Sequence, residues 1–345
     1  MARARRGSAR PGHGRGYGRG VRTDDLPLSR TTLDRDTTTR ADPRALRAAL
    51  ADPRGRILHV DSGRVLVDPA ADRLVLTAVG AGERAPAPGI RYYLGQDGDG
   101  PLVAEVASSG GSVGTRDDDD DDGDQAVARA GRWLSLRDVG SLLSARDAGA
   151  ATAAIALHNW HLTHTRCPRC GARTTLTQGG WVQRCPEDGS EHYPRTDPAV
   201  IMTIVDDADR LLLAHNALWP ATRYSVPAGY VEPGESLEAA VRREVLEETA
   251  VVVGDVAYEG SQPWPFPASL MVGFRGRALT TEPVPDGREL IAAEFVDRGG
   301  LRDRVHRGEL TLPTATSIAH SLIRDWFGDD LPVVRSPAEG DVGRP

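Results

Sequence analysis

The chain has 345 residues, 39% of them hydrophobic and 26% charged, which is room for two or three domains with separate cores. Its net charge of −7 conceals seven arginines and no acid within residues 1–22, leaving −14 on the remaining 323 residues, a balance that argues against wholesale nucleic-acid binding. No run of eighteen apolar residues and no apolar N-terminal stretch occurs, and three cysteines, two in a CxxC pair, suit a metal site in a reducing compartment, so a cytoplasmic protein without membrane contact is expected.

The Arg/Gly-rich opening, MARARRGSARPGHGRGYGRGVR, is almost free of aliphatic side chains, and residues 1–43 are expected to be a disordered tail. A solubilising role or an upstream start codon explains it more simply than an RNA-contacting arm. Residues 44–163 are expected to form a β-rich domain ending in helix. RILHVDSGRVLVD, RLVLTAV, IRYYLG and PLVAEV read as short strands between Gly, Pro and Asp turns. The run DDDDDDGDQ at 117–125 interrupts them as a solvated loop, without the ligand spacing of a calcium site. SLRDVGSLLSARDAGAATAAIALHNWHLTH then predicts one or two Ala/Leu-rich helices. His158, His161 and His164 recur there at every third position; of these only His164 is kept as a further candidate ligand for the metal described next.

Residues 164–195 contain CPRCGARTTLTQGGWVQRCPEDGSEHYP, which places Cys167 and Cys170 in one C-P turn and Cys185 at the start of a second. Paired turns of this kind supply the tetrahedral, sulfur-rich cage that Zn²⁺ favours. A fourth cysteine is expected at residue 188, where this chain has Asp188. Asp188 or the nearby His192 can complete the site, both being zinc-ligand types; alternatively the metal is lost and the ribbon persists by packing. One structural zinc is the reading adopted.

Residues 196–330 open with two strands, AVIMTIV and RLLLA, followed by YSVPAGYVEPGES and a helix, and residues 331–345 are expected to be a flexible tail. The helix poses the sharpest chemical question. At about 100° per residue, Leu237, Val241 and Val245 share a core-facing side, and Glu244 and Glu248 fall about 20° either side of Leu237, with Glu247 a little further round. Unpaired carboxylates on such a face cost several kcal/mol each, on the order of a whole domain's margin. Something must therefore neutralise them, and their hard oxygens at i, i+3 and i+4 converge from one face of the helix. Arg243, four residues before Glu247, is placed to hold that carboxylate.

These residues resemble the Nudix box: Gly229, Glu235, Arg243, Glu244, Val245, Glu247, Glu248 and Val251 all match it, and Ala250 replaces the usual glycine. SQPWPFPASLM, 261–271, resembles the signature of the NADH pyrophosphatase branch, with Ala268 in place of its glutamine. The resemblance covers roughly residues 50–330. It implies an α+β chain: a Nudix α/β/α sandwich with a mixed sheet, preceded by a zinc ribbon and a small β-rich domain. By position it implies Glu244, Glu247, Glu248, Glu289 and the Ala228 carbonyl as Mg²⁺ or Mn²⁺ ligands. Tyr193, Tyr230, Gln262, Pro263, Trp264, Pro265, Phe266, Pro267, Ala268, Ser269 and Ala319 become substrate contacts, and Tyr193 reaching a partner subunit implies a homodimer. Glu248 is taken as general base, with Arg243 supporting the catalytic acids.

The expected reaction is hydrolysis of NADH or NAD⁺ at the diphosphate to NMN(H) and AMP, with removal of NAD caps from RNA as an extension. The alternatives are a broader diphosphatase acting on ADP-ribose or diadenosine compounds, and a Nudix-fold nucleotide sensor without turnover.

Overall fold

The computed structural model describes residues 21, 26–79, 90–106, 131–328 and 330–333. The aspartate run, most of the Arg/Gly-rich opening and most of the C-terminal stretch lie outside them. Three β units follow one another along the chain, each with a sheet of its own.

The first begins with two short helices, α1 (Thr37–Ala41) and α2 (Pro43–Leu50), capped by the side chains of Asp36 and Asp42 on the free N–H groups of the first turn. Its sheet holds β1 (Arg56–Asp61), β2 (Arg64–Val67), β3 (Leu76–Ala78), β4 (Ile90–Asp97), β5 (Gly100–Val106) and β6 (Arg132–Ser135), in the order β4-β5-β1-β2-β6 with β3 also on β1. After a single turn, α3 (Leu136–Val139), comes the long α4 (Ala145–Thr163), whose alanines and Ile155 and Leu157 are buried against this sheet. The second unit is a three-stranded ribbon, β7 (Thr175–Thr177), β8 (Val182–Arg184) and β9 (Glu191–His192).

The third unit is the mixed sheet β10 (Asp197–Val205), β11 (Leu211–Asn216), β12 (Ala228–Tyr230), β13 (Val253–Trp264), β14 (Ser269–Ala278) and β15 (Leu290–Val296), in the order β13-β14-β10-β11-β15 with β12 on β10. Helix α5 (Leu237–Thr249) covers one face, where Val200, Met202 and Leu212 meet Ala240, Val241 and Val245. On the other, α6 (Arg298–His306) and α7 (Ile318–Phe327) close a second core around Ile201, Leu213, Leu301, Leu322 and Ile323. Helices on both faces of a mixed sheet make the expected α/β/α sandwich. The proline-rich 261–271 segment lies where proline permits, with Pro263 on the edge strand β13.

Residues 26–43, expected within a disordered tail, are ordered. Leu26 is fully buried in the core beneath α7, and Leu28 is buried in the core of the first unit. Between them the chain acts as a strap: Leu28 N–H donates to the Gln262 side chain (3.2 Å), Ser29 Oγ to Ser261 O (2.6 Å), and Arg30 to the carbonyls of Gly140 and Leu143. Two leucines in a polar stretch are too few for periodicity to reveal, yet they suffice to pin it.

The units are also joined at His161. Its Nε2 meets Gly180 O at 2.7 Å, its Nδ1 accepts from Gln183 (2.9 Å), and its ring stacks on Tyr92 at 4.9 Å. Burial lowers its pKa, so it serves as a neutral joint between α4, the ribbon and the first sheet. Gln262 has an equivalent place between strap and sandwich, its amide oxygen on Leu28 N–H and its amide nitrogen on Thr316 O (3.0 Å), with no exposed surface. Gln262→Leu leaves a buried donor and a buried acceptor without partners and should cost about 2 kcal/mol or more in urea unfolding. A loss below about 0.5 kcal/mol would show that the strap is not held here.

Candidate active site

Helix α5 starts with Ser236, whose hydroxyl accepts from Ala239 N–H, and ends at Ala250 in the left-handed conformation, φ 56°. That is the position where the Nudix pattern has glycine, and an alanine there carries about 1 kcal/mol of backbone strain. The helix lies directly on β12: a β-carbon at Gly229 would fall inside the Glu244 carboxylate, so only glycine lets strand and acid approach this closely.

The three acids of the helix have different surroundings. Glu248 is 6% exposed, and its Oε2 is buried without a hydrogen-bond partner. Burial, and then the negative charges of Glu289, Glu244, Asp286 and Glu247, push its carboxyl up to about 8. Glu244 is half-buried; burial raises it too, against the opposing pull of Arg243. Glu247 departs from the expected stripe, its side chain 62% exposed and tied to Arg243 at 3.1 Å. Glu289, at the entry to β15, is exposed, and its charge raises both Glu244 and Glu248.

Arg243 organises the cluster. Its guanidinium makes two bonds to Glu235 (2.9 Å each) and one each to Glu244 (2.9 Å), Glu247 (3.1 Å) and Tyr230 O (2.9 Å). Sequence reasoning linked it to Glu247 alone; Glu235, in the loop before the helix, is its bidentate anchor. A second organiser is Asp286, whose carboxylate accepts from the N–H groups of Arg288, Glu289 and Leu290 and whose own N–H donates to Glu248 O. It shapes the Glu289 loop against the end of α5.

Among the described residues, Cys167, Cys170, Cys185 and Asp188 form the group of candidate ligands that meets within 4.8 Å. The glutamates of α5 do not close to that distance, because Arg243 draws two of them aside and like charges separate the rest. The unpartnered Glu248 oxygen in a field of acids nevertheless fits a divalent cation, the one kind of group that would satisfy it without another donor. In the ribbon Asp188 joins the three sulfurs, with Oδ2 3.5 Å from Cys167 Sγ, His192 hydrogen-bonds Ser190 and Cys167, and His164 turns to Thr163.

A cleft of about 430 Å³ lies between the end of α4 and the sandwich, lined by Asn159, Trp160, His164, Arg195, Tyr230 and Ala268 among others. Tyr230 links cleft and acids: its hydroxyl is 3.2 Å from Ser269 Oγ, and its carbonyl is held by Arg243. Pro267 also lines the cleft, and the Pro265 and Pro267 carbonyls accept from Asn159. Trp264 and Phe266 pack edge to face at 5.0 Å, and Arg137, from α3, lies over both rings, a clamp that no local sequence signal announces. Tyr193 is 64% exposed with its hydroxyl on Glu191. Four expected substrate contacts are buried: Gln262 is spent on Leu28 and Thr316, Ala319 packs into the core from the inner face of α7, and Pro265 and Ser269 are covered as well.

A glutamate-bearing helix seated on a glycine strand at one face of a mixed sheet defines a Nudix domain. The NUDIX domain family matches residues 195–312, the NADH pyrophosphatase zinc ribbon domain 162–193, and the NADH pyrophosphatase-like rudimentary NUDIX domain 54–160. The NAD-capped RNA hydrolase NudC of Mycobacterium bovis is 37% identical over 311 residues, 87% of this chain and 94% of that protein. NudC of Mycobacterium tuberculosis is 36% identical over the same shares, and the NAD-capped RNA hydrolase NUDT12 of Homo sapiens 37% over 197 residues, 54% of this chain and 43% of that one. The chain belongs to the zinc-ribbon NADH pyrophosphatase branch of the Nudix hydrolases.

The Glu248 carboxyl makes a pH prediction for the metal-free protein. Its folded pKa of about 8 lies above the ordinary value of 4.5, so its contribution to stability is intact at pH 4 and is lost as pH rises through 8. Glu248→Gln removes that loss, so the variant should match wild type in thermal unfolding at pH 5 and exceed it by a few kcal/mol, on the order of 3, at pH 9. An equal effect at both values would mean that the buried carboxyl does not titrate as described.

Proposed function

We propose that the protein hydrolyses the diphosphate of NADH or NAD⁺ to NMN(H) and AMP, and by the same chemistry removes the NAD cap from RNA 5′ ends. The observation that carries this reading is the buried, unpartnered Glu248 carboxyl amid the charges of Glu244, Glu247 and Glu289, a cluster tied through Arg243 to Tyr230 at the rim of a cleft of about 430 Å³. Glu244, Glu247, Glu248, Glu289 and the Ala228 carbonyl would hold Mg²⁺ or Mn²⁺. Bound there, the ions offset phosphate charge and make water a better nucleophile.

The residues of the chain divide the remaining work. With a divalent ion beside it displacing its own proton, Glu248 would accept the proton of the attacking water. Arg243 fixes Glu244 and Glu247 and holds the strand bearing Tyr230. Tyr230, at the cleft with its hydroxyl on the buried Ser269, orients the dinucleotide, and the Trp264–Phe266 pair, stiffened by Arg137, offers aromatic surface for a base or nicotinamide ring. Cys167, Cys170 and Cys185 would hold the structural zinc of the ribbon, and their free thiols suit a reducing, cytoplasmic setting. A homodimer completes the proposal, with the exposed Tyr193 reaching the cleft of the other protomer. NudC and NUDT12 bear the name NAD-capped RNA hydrolase, which supports the cap as a substrate.

The test is product analysis of NADH incubated with wild type and Glu248→Gln, in Mg²⁺ and in Mn²⁺. Wild type should yield NMNH and AMP, and the variant should lose about 10²-fold or more of turnover. A clear preference for ADP-ribose or a diadenosine polyphosphate would overturn the substrate assignment. Tight NADH binding without turnover would favour a sensor.

A further inference from the structure

The two turns of the ribbon are built alike. In the first, Cys167 O accepts from Gly171 N–H (2.9 Å) and Cys167 N–H donates to Ala172 O (2.8 Å); in the second, Cys185 O accepts from Gly189 N–H (3.1 Å) and Cys185 N–H donates to Ser190 O (2.9 Å). Both close on a left-handed glycine, Gly171 at φ 77° and Gly189 at φ 70°. Matched turn for turn, Asp188 stands where Cys170 stands, three residues past the leading cysteine. The backbone therefore aims residue 188 at the point shared by the sulfurs, whichever side chain it carries.

The side chain completes that geometry. Asp188 joins the three sulfurs within 4.8 Å, and its Oδ2 is 3.5 Å from Cys167 Sγ. Its Oδ1 points the other way, accepting from Ser190 N–H (2.8 Å) and Ser190 Oγ (2.5 Å). Behind it, His192 Nε2 is 3.1 Å from Ser190 Oγ. His192 also hydrogen-bonds Cys167, so the imidazole stands at the edge of the cluster, a usual place for a group that orients a metal ligand.

We propose that Asp188 is the fourth zinc ligand, through Oδ2, and that Ser190 and His192 are its positioning residues, so that this ribbon holds zinc by three thiolates and one carboxylate. A carboxylate is a harder donor than thiolate and a weaker match to Zn²⁺. With Cys170 exposed at the rim, the ion exchanges faster than it would from a four-cysteine cage.

The inference rests on the ribbon binding zinc, which the zinc content of the wild-type protein tests separately. Ligand identity is then read from the cobalt-substituted full-length protein and from zinc transfer to a chromogenic chelator. Asp188→Cys should raise the sulfur-to-cobalt absorbance per ion by about a third, three thiolates becoming four, and slow zinc transfer by about tenfold or more. Asp188→Ala should speed transfer, and His192→Ala should leave the cobalt spectrum close to wild type. Should Asp188→Ala fail to fold, the cysteine variant still decides. Absorbance and transfer unchanged in Asp188→Cys, or a cobalt spectrum altered by His192→Ala but not by Asp188→Ala, would overturn the proposal.

Discussion

A carboxylate buried beside other carboxylates is the constraint around which the sandwich is arranged. Glu248 has one oxygen with no donor, on a helix whose other inward positions, Ala240, Val241 and Val245, are fully buried apolar residues. A domain has a net stability on the order of 10 kcal/mol, so such a group persists only where something outside the apolar core satisfies it. The rest of the cradle limits the cost in the meantime. Arg243 hydrogen-bonds Glu235, Glu244 and Glu247 together and offsets part of their charge, and Asp286 turns its own charge onto three backbone N–H groups. The buried oxygen of Glu248 is left without a donor.

The cradle is precise because of what lies under and behind it. Gly229 admits the Glu244 carboxylate against β12, and β12 in turn pairs with the central strand β10. Through Tyr230 and Ser269 the same strand reaches β14 and the stiff 263–268 turn, which Asn159 of α4 grips by two carbonyls. His161, two residues further along α4, locks that helix to the ribbon. A shift of the ribbon or the first sheet would therefore be felt at the cleft, although neither bears a carboxylate of the cradle. This is a physical reason for the three units to stay together in one chain.

Much of this was legible in the sequence where local rules apply. The angular spacing of Glu244 and Glu248 relative to Leu237 placed both acids toward the core, and the burial of Val241 and Val245 follows the same wheel. Glu247, further round, emerged into solvent. The C-P turns located the sulfurs, but spacing alone could not order Asp188, whose carboxylate joins them, against His192, which stands beside Ser190 and Cys167. What stayed hidden is long-range: Leu26 and Leu28 reach two cores from a stretch that reads as polar tail, Gln262 joins elements 234 residues apart, and Arg137 clamps aromatics more than a hundred residues downstream. None of these leaves a period or spacing, because each is a single side chain meeting a distant partner.

Proton release on metal binding tests the central claim most directly. With the ribbon already loaded with zinc, Mn²⁺ is added to the protein in buffers of differing ionisation enthalpy, and calorimetry counts the protons set free. Since Glu248 holds its proton until about pH 8, binding at pH 7 should release close to one proton per protein, falling toward zero by about pH 9.5. Manganese binding at pH 7 with no proton released, or no binding at all, would contradict the claim that the buried carboxylate exists to hold a divalent ion.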